Sequence, residues 1–409
     1  MLDGADGMGA AMAMRIVVAF GEALGADSLL PITCAHVDGC LFIGQASLDF
    51  AERLVRSGAR VSVPATLNIS SLDLLHPELF RGADATAASA RRLTESYEAL
   101  GCTPTWTCAP YQLANRPTFG EHVAWGESNA IVFANSVLGA RTNRYGDLID
   151  ICAAVAGRVP NAGLHRTELR RGQAVFDVGG LPERLVAEDI LFPLLGLHVG
   201  AVTGDQVPVV VGLPGAGEDQ LKAFGASAAT SGSVGLFHAV GITPEAPDLA
   251  TALHGRPPES RSEVTLADIR RARDRINGSP DAALSAVSVG TPHYSLGQIE
   301  ELVRLLAGRS VHRSIGFYMS TGRDTLAMAE EAGWVSQLEA SGVQPVVDTC
   351  TYVTPIIDGA NGTVMTDSAK WAYYAPGNIG VEVAFGSVED CVESAVVGRV
   401  LFDGGMWDE

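Results

Sequence analysis

Lysine is scarce in this chain, and the formal net charge is −19. So acidic a surface offers no clustered cations for a phosphate backbone. Nucleic acid is therefore excluded as the expected partner, and solubility accounts for the charge. No Cys-x-x-Cys pair occurs among the seven cysteines. An autonomous zinc finger or ferredoxin-type module is not expected, and reduced thiols or metal ligands are preferred over disulfides. No Gly-x-Ser-x-Gly elbow is present, and the glycine-rich turn at 231–235 matches neither a phosphate loop nor a dinucleotide fingerprint. Long apolar runs are missing too. The most apolar region, 190–213, is interrupted by Pro193, Gly196, Gly200, Gly204, Asp205 and Pro208, so it reads as buried helix and strand rather than a membrane span. The opening residues are acidic where a secretory signal is basic, which predicts a cytoplasmic protein.

What is present is globular. With 409 residues, 47% hydrophobic and 18% charged, the chain is too long for one compact core, and two or three lobes are expected. Helical periodicity covers residues 8–24, 48–57, 85–100 and 266–276. Short β-branched runs at 29–32, 59–63, 103–107, 286–289, 314–318 and 343–347 read as strands. Their alternation predicts an α/β fold with mostly parallel sheets flanked by helices. The prolines and mixed charges of 251–262 mark a tentative linker.

Reactive side chains sit where such strands break into loops, the places that present catalytic groups. The segment 33–40 holds Cys34, His36, Asp38 and Cys40, with Gly39 permitting a sharp turn. Cys34 reads as packed rather than ligating. Cys108 follows the 103–107 run and is stiffened by Pro110; Cys350 follows the 343–347 run. Cys102, Cys152 and Cys391 read as core or without a role. Three thiolates, Cys40, Cys108 and Cys350, from separate loops can hold an iron–sulfur cluster with one iron open to substrate; unconnected cysteines are the alternative. Around them lie polar groups suited to a small anion: Glu127 and Ser128, then Ser136, Arg141 and Arg144, and an isolated Lys370 among aromatics. Surface ion pairing is the plainer reading of the two arginines, and a buried ion pair that of Lys370.

These segments together resemble the aconitase X family. The resemblance is carried by 35–39, Thr66-Leu67-Asn68, 108–111, 125–128 and the long string 133–144, and continues through 241–246, 290–293, 348–350 and 368–370. It implies an aconitase-like, multi-lobed catalytic body whose swivel domain is absent from this chain and supplied by a small-subunit partner. The family dehydrates either cis-3-hydroxy-L-proline, giving pyrroline-2-carboxylate, or mevalonate 5-phosphate. By position, Cys108 and Cys350 are implied iron ligands. Gly39, Asn68, Glu127, Ser128 and Lys370 are implied substrate contacts, with His36, Thr291 and His293 beside them. Thr291 stands where the archaeal phosphomevalonate enzymes carry a cysteine, and Cys40 where they carry a small apolar residue. The third ligand is therefore expected at Cys40, which fits the hydroxyproline branch. A two-iron cluster is the first expectation, with a single iron or a four-iron cluster as alternatives.

The expected chemistry is loss of hydroxide from an unactivated carbon, eased by a Lewis-acidic iron while a base on the small subunit takes the proton α to a carboxylate. Lys370, aided by Arg141 or Arg144, would neutralise that carboxylate, and Glu127 would orient the hydroxyl or relay its proton. Two alternatives stay open: a mevalonate 5-phosphate dehydratase large subunit, and a non-catalytic iron-binding subunit.

Overall fold

The computed structural model describes residues 1–278, 283–358 and 362–407. The first lobe runs α1 (Met8–Ala23), β1 (Leu29–Pro31), β2 (Ala35–Val37), α2 (Gln45–Arg56), β3 (Ala65–Leu67), α3 (Asp84–Ala99), β4 (Ala124–Trp125), α4 (Ser128–Ser136), α5 (Ile149–Ala156) and β5 (Arg158–Pro160). Its three-stranded sheet, ordered β3-β2-β4, is parallel, and β1 and β5 form a separate antiparallel ribbon. Leu48, Ala51 and Leu54 fall on one stripe of α2 and are fully buried, as a helix with apolar residues at three- and four-residue spacing requires. Two expected strands do not form. The N–H groups of Val61 and Ser62 bond to the carbonyls of Leu100 and Ala154 instead of a ladder. Around 103–107 pairing stops at a single bridge between Thr66 and Thr103, and the Leu67 N–H donates to the Thr105 hydroxyl instead of a backbone carbonyl.

The second lobe contains β6 (Ala174–Asp177), α6 (Glu183–Val186), α7 (Leu191–Thr203), β7 (Pro208–Val211), α8 (Glu218–Ser231), β8 (His238–Ala239), α9 (Leu249–Ala252), β9 (Ser260–Glu263) and α10 (Leu266–Asp274). Its sheet is parallel in the order β8-β7-β6-β9. The interruptions in 190–213 have a packing reason. A Cβ on Gly196 would strike the Phe224 carbonyl and one on Gly200 the Ala228 carbonyl, so glycine lets α7 lie against the α8 backbone. The stretch 251–262 is not a boundary between lobes: it carries the chain from α9 into β9, whose pairing with β6 belongs to this sheet.

The third lobe contains β10 (Leu284–Tyr294), α11 (Leu296–Leu306), β11 (Gly316–Thr321), α12 (Arg323–Glu331), α13 (Trp334–Ser341), β12 (Val343–Val346), β13 (Thr363–Thr366), α14 (Ala369–Ile379), β14 (Glu382–Phe385) and α15 (Val388–Val397). Its five strands are parallel in the order β12-β11-β10-β13-β14. The chain winds outward from β10 in one direction and then resumes at β13 on the other side. That reversal opens a crevice at the carboxyl ends of the strands, where ligands bind in sheets of this kind. Two aspartates tie this lobe to the first. Asp348, at φ 62°, is gripped by Arg323 at 2.6 Å through both carboxylate oxygens and accepts the Leu74 N–H. Asp73 accepts the N–H of Val347. No described helix is long and apolar enough to cross a membrane.

Candidate active site

The carboxyl ends of two parallel sheets supply most of the polar wall of one cleft of about 400 Å³, a size that suits a small ligand. Asp38 follows β2, Asn68 follows β3, and Gly126, Glu127 and Ser128 follow β4. From the third lobe come Thr291 near the end of β10, Cys350 beyond β12 and Lys370 beyond β13; Cys108 joins them from a first-lobe loop.

Cys108, Cys350 and His293 bring their ligand atoms within 4.8 Å of one another, all buried. The neighbouring Cys108 thiol and burial push the Cys350 thiol well up, because two adjacent thiolates without a shared cation repel. Two soft donors and an imidazole so placed fit a thiophilic metal or an iron–sulfur cluster. His293 is the more committed of the three. Its Nε2 lies 3.1 Å from the Thr349 carbonyl, which can only accept, so Nε2 carries the proton and Nδ1 faces the Thr107 hydroxyl at 3.1 Å. Burial lowers its pKa to about 4 and keeps the ring neutral. Its backbone N–H also donates to the Cys108 sulfur at 3.3 Å.

Lys370 is the second residue of α14, whose cap is the Ser368 hydroxyl. Its Nζ lies 2.5 Å from Glu127 and 3.4 Å from the Ser128 hydroxyl. Glu127 caps α4 by accepting the Ala130 N–H at 2.8 Å. Two helix N-termini thus flank one ammonium, an arrangement that favours a bound anion. Burial works against the charge on Lys370, but Glu127 beside it prevails and raises its pKa well above the ordinary value. Across the cleft, burial and the carboxylates of Glu127, Asp147 and Asp150 raise Asp38 far above the usual range, while Asn68 donates to it.

Of the residues singled out in the sequence, Asn68, Cys108, Glu127, Ser128, Arg144, Thr291, Cys350 and Lys370 line the cleft. Five others lie elsewhere. Cys40 packs in the first-lobe core with Tyr97 and Cys102, its thiol directed at the Val37 carbonyl, so it does not join the two other thiols. Gly39 is small because a Cβ would meet the Tyr97 hydroxyl. His36 is fully buried between Thr66 and Trp125. Ser136 accepts the Phe237 N–H, and Arg141 binds the His165 carbonyl and Thr167. His293, expected at the substrate, stands with the thiols. The cleft also recruits Asp38, named in the reactive 33–40 segment but given no role there, and Gly126, Tyr374 and Asn378, which sequence reasoning did not select. Tyr374 and Asn378 follow Lys370 at four-residue spacing on one face of α14, a signal that was legible.

Family models for the aconitase X first, second and third domains match residues 1–168, 172–274 and 284–397. A cis-3-hydroxy-L-proline dehydratase from Pseudomonas aeruginosa is 41% identical over 98% of this chain and 69% of its own length. One from Hypocrea jecorina is 39% identical over 99% and 68%. The phosphomevalonate dehydratase large subunit of Thermococcus kodakarensis is 33% identical over 97% of both chains. The crystal structure of Thermococcus kodakaraensis aconitase X in its holo-form superposes with a TM-score of 0.87 at 33% identity, covering 96% of this chain and 97% of that one. With all three domain models matched in order and the cleft built from segments of the first and third, the chain belongs to the aconitase X family and is a hydro-lyase.

Proposed function

We propose that this dehydratase removes water from cis-3-hydroxy-L-proline to give pyrroline-2-carboxylate. The charge of the cleft carries the reading. Among the described residues its wall holds two cations, Lys370 and Arg144, beside two acidic side chains, Asp38 and Glu127. Arg144 already donates through Nη1 to the carbonyls of Ala229, Gly232 and Val234 at 3.2 to 3.3 Å. Lys370 is shared with Glu127, so the wall has cations enough for one carboxylate and none to spare. Mevalonate 5-phosphate adds a phosphate dianion, which calls for further cations. The higher identity to the hydroxyproline enzymes supports the same choice.

Cys108 and Cys350, with His293 beside them, would hold iron, in a two-iron sulfur cluster or as a single ion. Such a centre with an open position supplies Lewis acidity toward a leaving hydroxyl. Lys370 neutralises the substrate carboxylate and stabilises the enolate-like charge that develops when the α proton leaves. Glu127 fixes the Lys370 ammonium in place, and Ser128 offers a hydroxyl at the same point. Asp38, whose proton affinity burial and the neighbouring carboxylates raise, accepts the Asn68 amide on the far wall. The base comes from a small swivel-domain subunit outside these 409 residues; the phosphomevalonate relatives, matched almost end to end, are themselves named large subunits.

Iron and acid-labile sulfide would be measured in anaerobically purified protein beside Cys350→Ser, followed by saturation kinetics of the two-subunit enzyme. The expected outcome is iron with sulfide, lost in the variant, and saturable turnover of cis-3-hydroxy-L-proline only. Preferred turnover of mevalonate 5-phosphate would overturn the substrate assignment, and iron-free protein the metal assignment.

A further inference from the structure

Thr291 and Lys370 border a second space besides the cleft. This small polar chamber of about 40 Å³ is also walled by Lys222, Tyr294, Gln298 and Asp367. Tyr294, Gln298 and Asp367 in turn border an outer pocket of about 410 Å³ lined by Glu188, Asp189, Asp219, Glu301 and Glu389. Cleft, chamber and outer pocket thus share walls in series.

Two buried polar atoms on residues that wall this chamber have no partner among the described residues: the Thr291 hydroxyl and Asp367 Oδ1. Thr291 is only 7% exposed. The other Asp367 oxygen accepts the Tyr294 hydroxyl. Lys222 satisfies neither orphan, since its ammonium is engaged by Asp219 at 2.7 Å, Gln298 at 2.5 Å and the His293 carbonyl at 3.3 Å. Buried polar atoms left bare are rare, and ordered water is their usual partner. A water needs roughly 10 to 15 Å³ of such space and two or more polar contacts, so the chamber has room for about three.

We propose that this chamber is a water-filled proton path from the outer pocket to the substrate cleft, with Asp367 as its proton-holding station and Thr291 as its inner contact. In dehydration the C–O bond breaks and its electron pair stays with the departing oxygen, which then lacks one proton. The Asp367 carboxyl gives its proton to a chamber water. A water hydrogen-bonded to Thr291 passes one of its own to the departing oxygen. Asp367 takes a replacement from solvent in the outer pocket. Each O–H bond broken is matched by one formed, and the α proton goes separately to the base. Burial raises the Asp367 pKa to about 6, opposed by the Tyr294 hydrogen bond and the Lys222 charge and assisted by Glu389. Cys391, on the α15 side, stays a neutral thiol because burial and these carboxylates raise it. The acid is therefore partly protonated near neutral pH, where a relay works best.

The kinetic test rests on the dehydratase reading; a structural one does not. A high-resolution crystal structure is expected to show ordered water within hydrogen-bonding distance of both Thr291 Oγ and Asp367 Oδ1, and a dry chamber would overturn the proposal. In the two-subunit enzyme, kcat for cis-3-hydroxy-L-proline should fall as pH rises through about 6. Asp367→Asn should abolish that inflection and lower kcat by about tenfold with KM little changed. Thr291→Val should lose a similar factor and Thr291→Ser recover it, as a purely packing role would not. An Asp367→Asn enzyme with the wild-type profile refutes the path. Wild-type protein that turns over neither substrate refutes the substrate assignment instead, and the chamber water then decides the path.

Discussion

Replacing Lys370 by Met tests whether the cleft is organised around one ammonium. Lys370 and Glu127 are each 6% exposed and 2.5 Å apart. Removing one partner of a buried pair strands the other, at a typical loss of about 3 to 5 kcal/mol. Glu127 would keep its bond from the Ala130 N–H, so the lower end, about 3 kcal/mol, is expected. The double variant Lys370→Met, Glu127→Gln removes both charges and should return to within about 1 kcal/mol of wild type. Urea unfolding at matched m-values measures both. Turnover should fall by about 10² to 10³ in each variant, because the carboxylate anchor is gone in both. The sign of the pH dependence follows from the raised lysine pKa. The pair's contribution is fully present below lysine's ordinary value and is lost only as pH rises beyond it through the folded value. A Lys370→Met protein as stable as wild type, or one that keeps most of its turnover, would refute the reasoning.

Cys40→Ala should retain the wild-type iron content and Cys108→Ala should lose it, read by metal analysis, since only the second thiol lies with Cys350 and His293. Gly126→Ala should lower stability by about 1 to 3 kcal/mol and weaken substrate binding. Its new Cβ would collide with the Asp150 carboxylate and sit 2.9 Å from the Asp38 Cβ, and thermal unfolding with KM would report both. Burial lifts Asp150 to about 7. The folded chain thus keeps a proton that the unfolded chain sheds from about pH 4. Stability should therefore fall as pH rises from about 4 to 7, by up to about 1.4 kcal/mol per unit from this group. Asp150→Asn should flatten that slope in urea midpoints taken across the window, and an unchanged slope would dismiss the assignment.

Much of the local structure was legible because it depends on neighbours in sequence. The apolar spacing of 8–24 matches α1 almost to the residue, and the runs at 286–289, 314–318 and 343–347 lie at β10, β11 and β12. Cys350 could be placed at a loop because a strand must end before it. The runs 59–63 and 103–107 carried the same signal and misled: whether a β-branched run joins a ladder depends on which backbone groups lie alongside.

The sequence by itself determined the α/β class, the family resemblance, and the presence of loop-borne thiols and carboxylates and of one aromatic-flanked lysine. Only the tertiary structure decided which of these meet. Cys40 and Asp38 stand two residues apart, yet the thiol turns into the core with Tyr97 while the carboxyl faces Asn68 and the cleft. No periodicity distinguishes two neighbours in an irregular loop, because their directions are set by packing against α3 and β3, elements far along the chain. Lys370 reads as one isolated cation until α14 brings it against Glu127, 243 residues away. Charge, burial and proton affinity at this site are properties of that meeting. They arise from distances in space, which residue order constrains only through the fold.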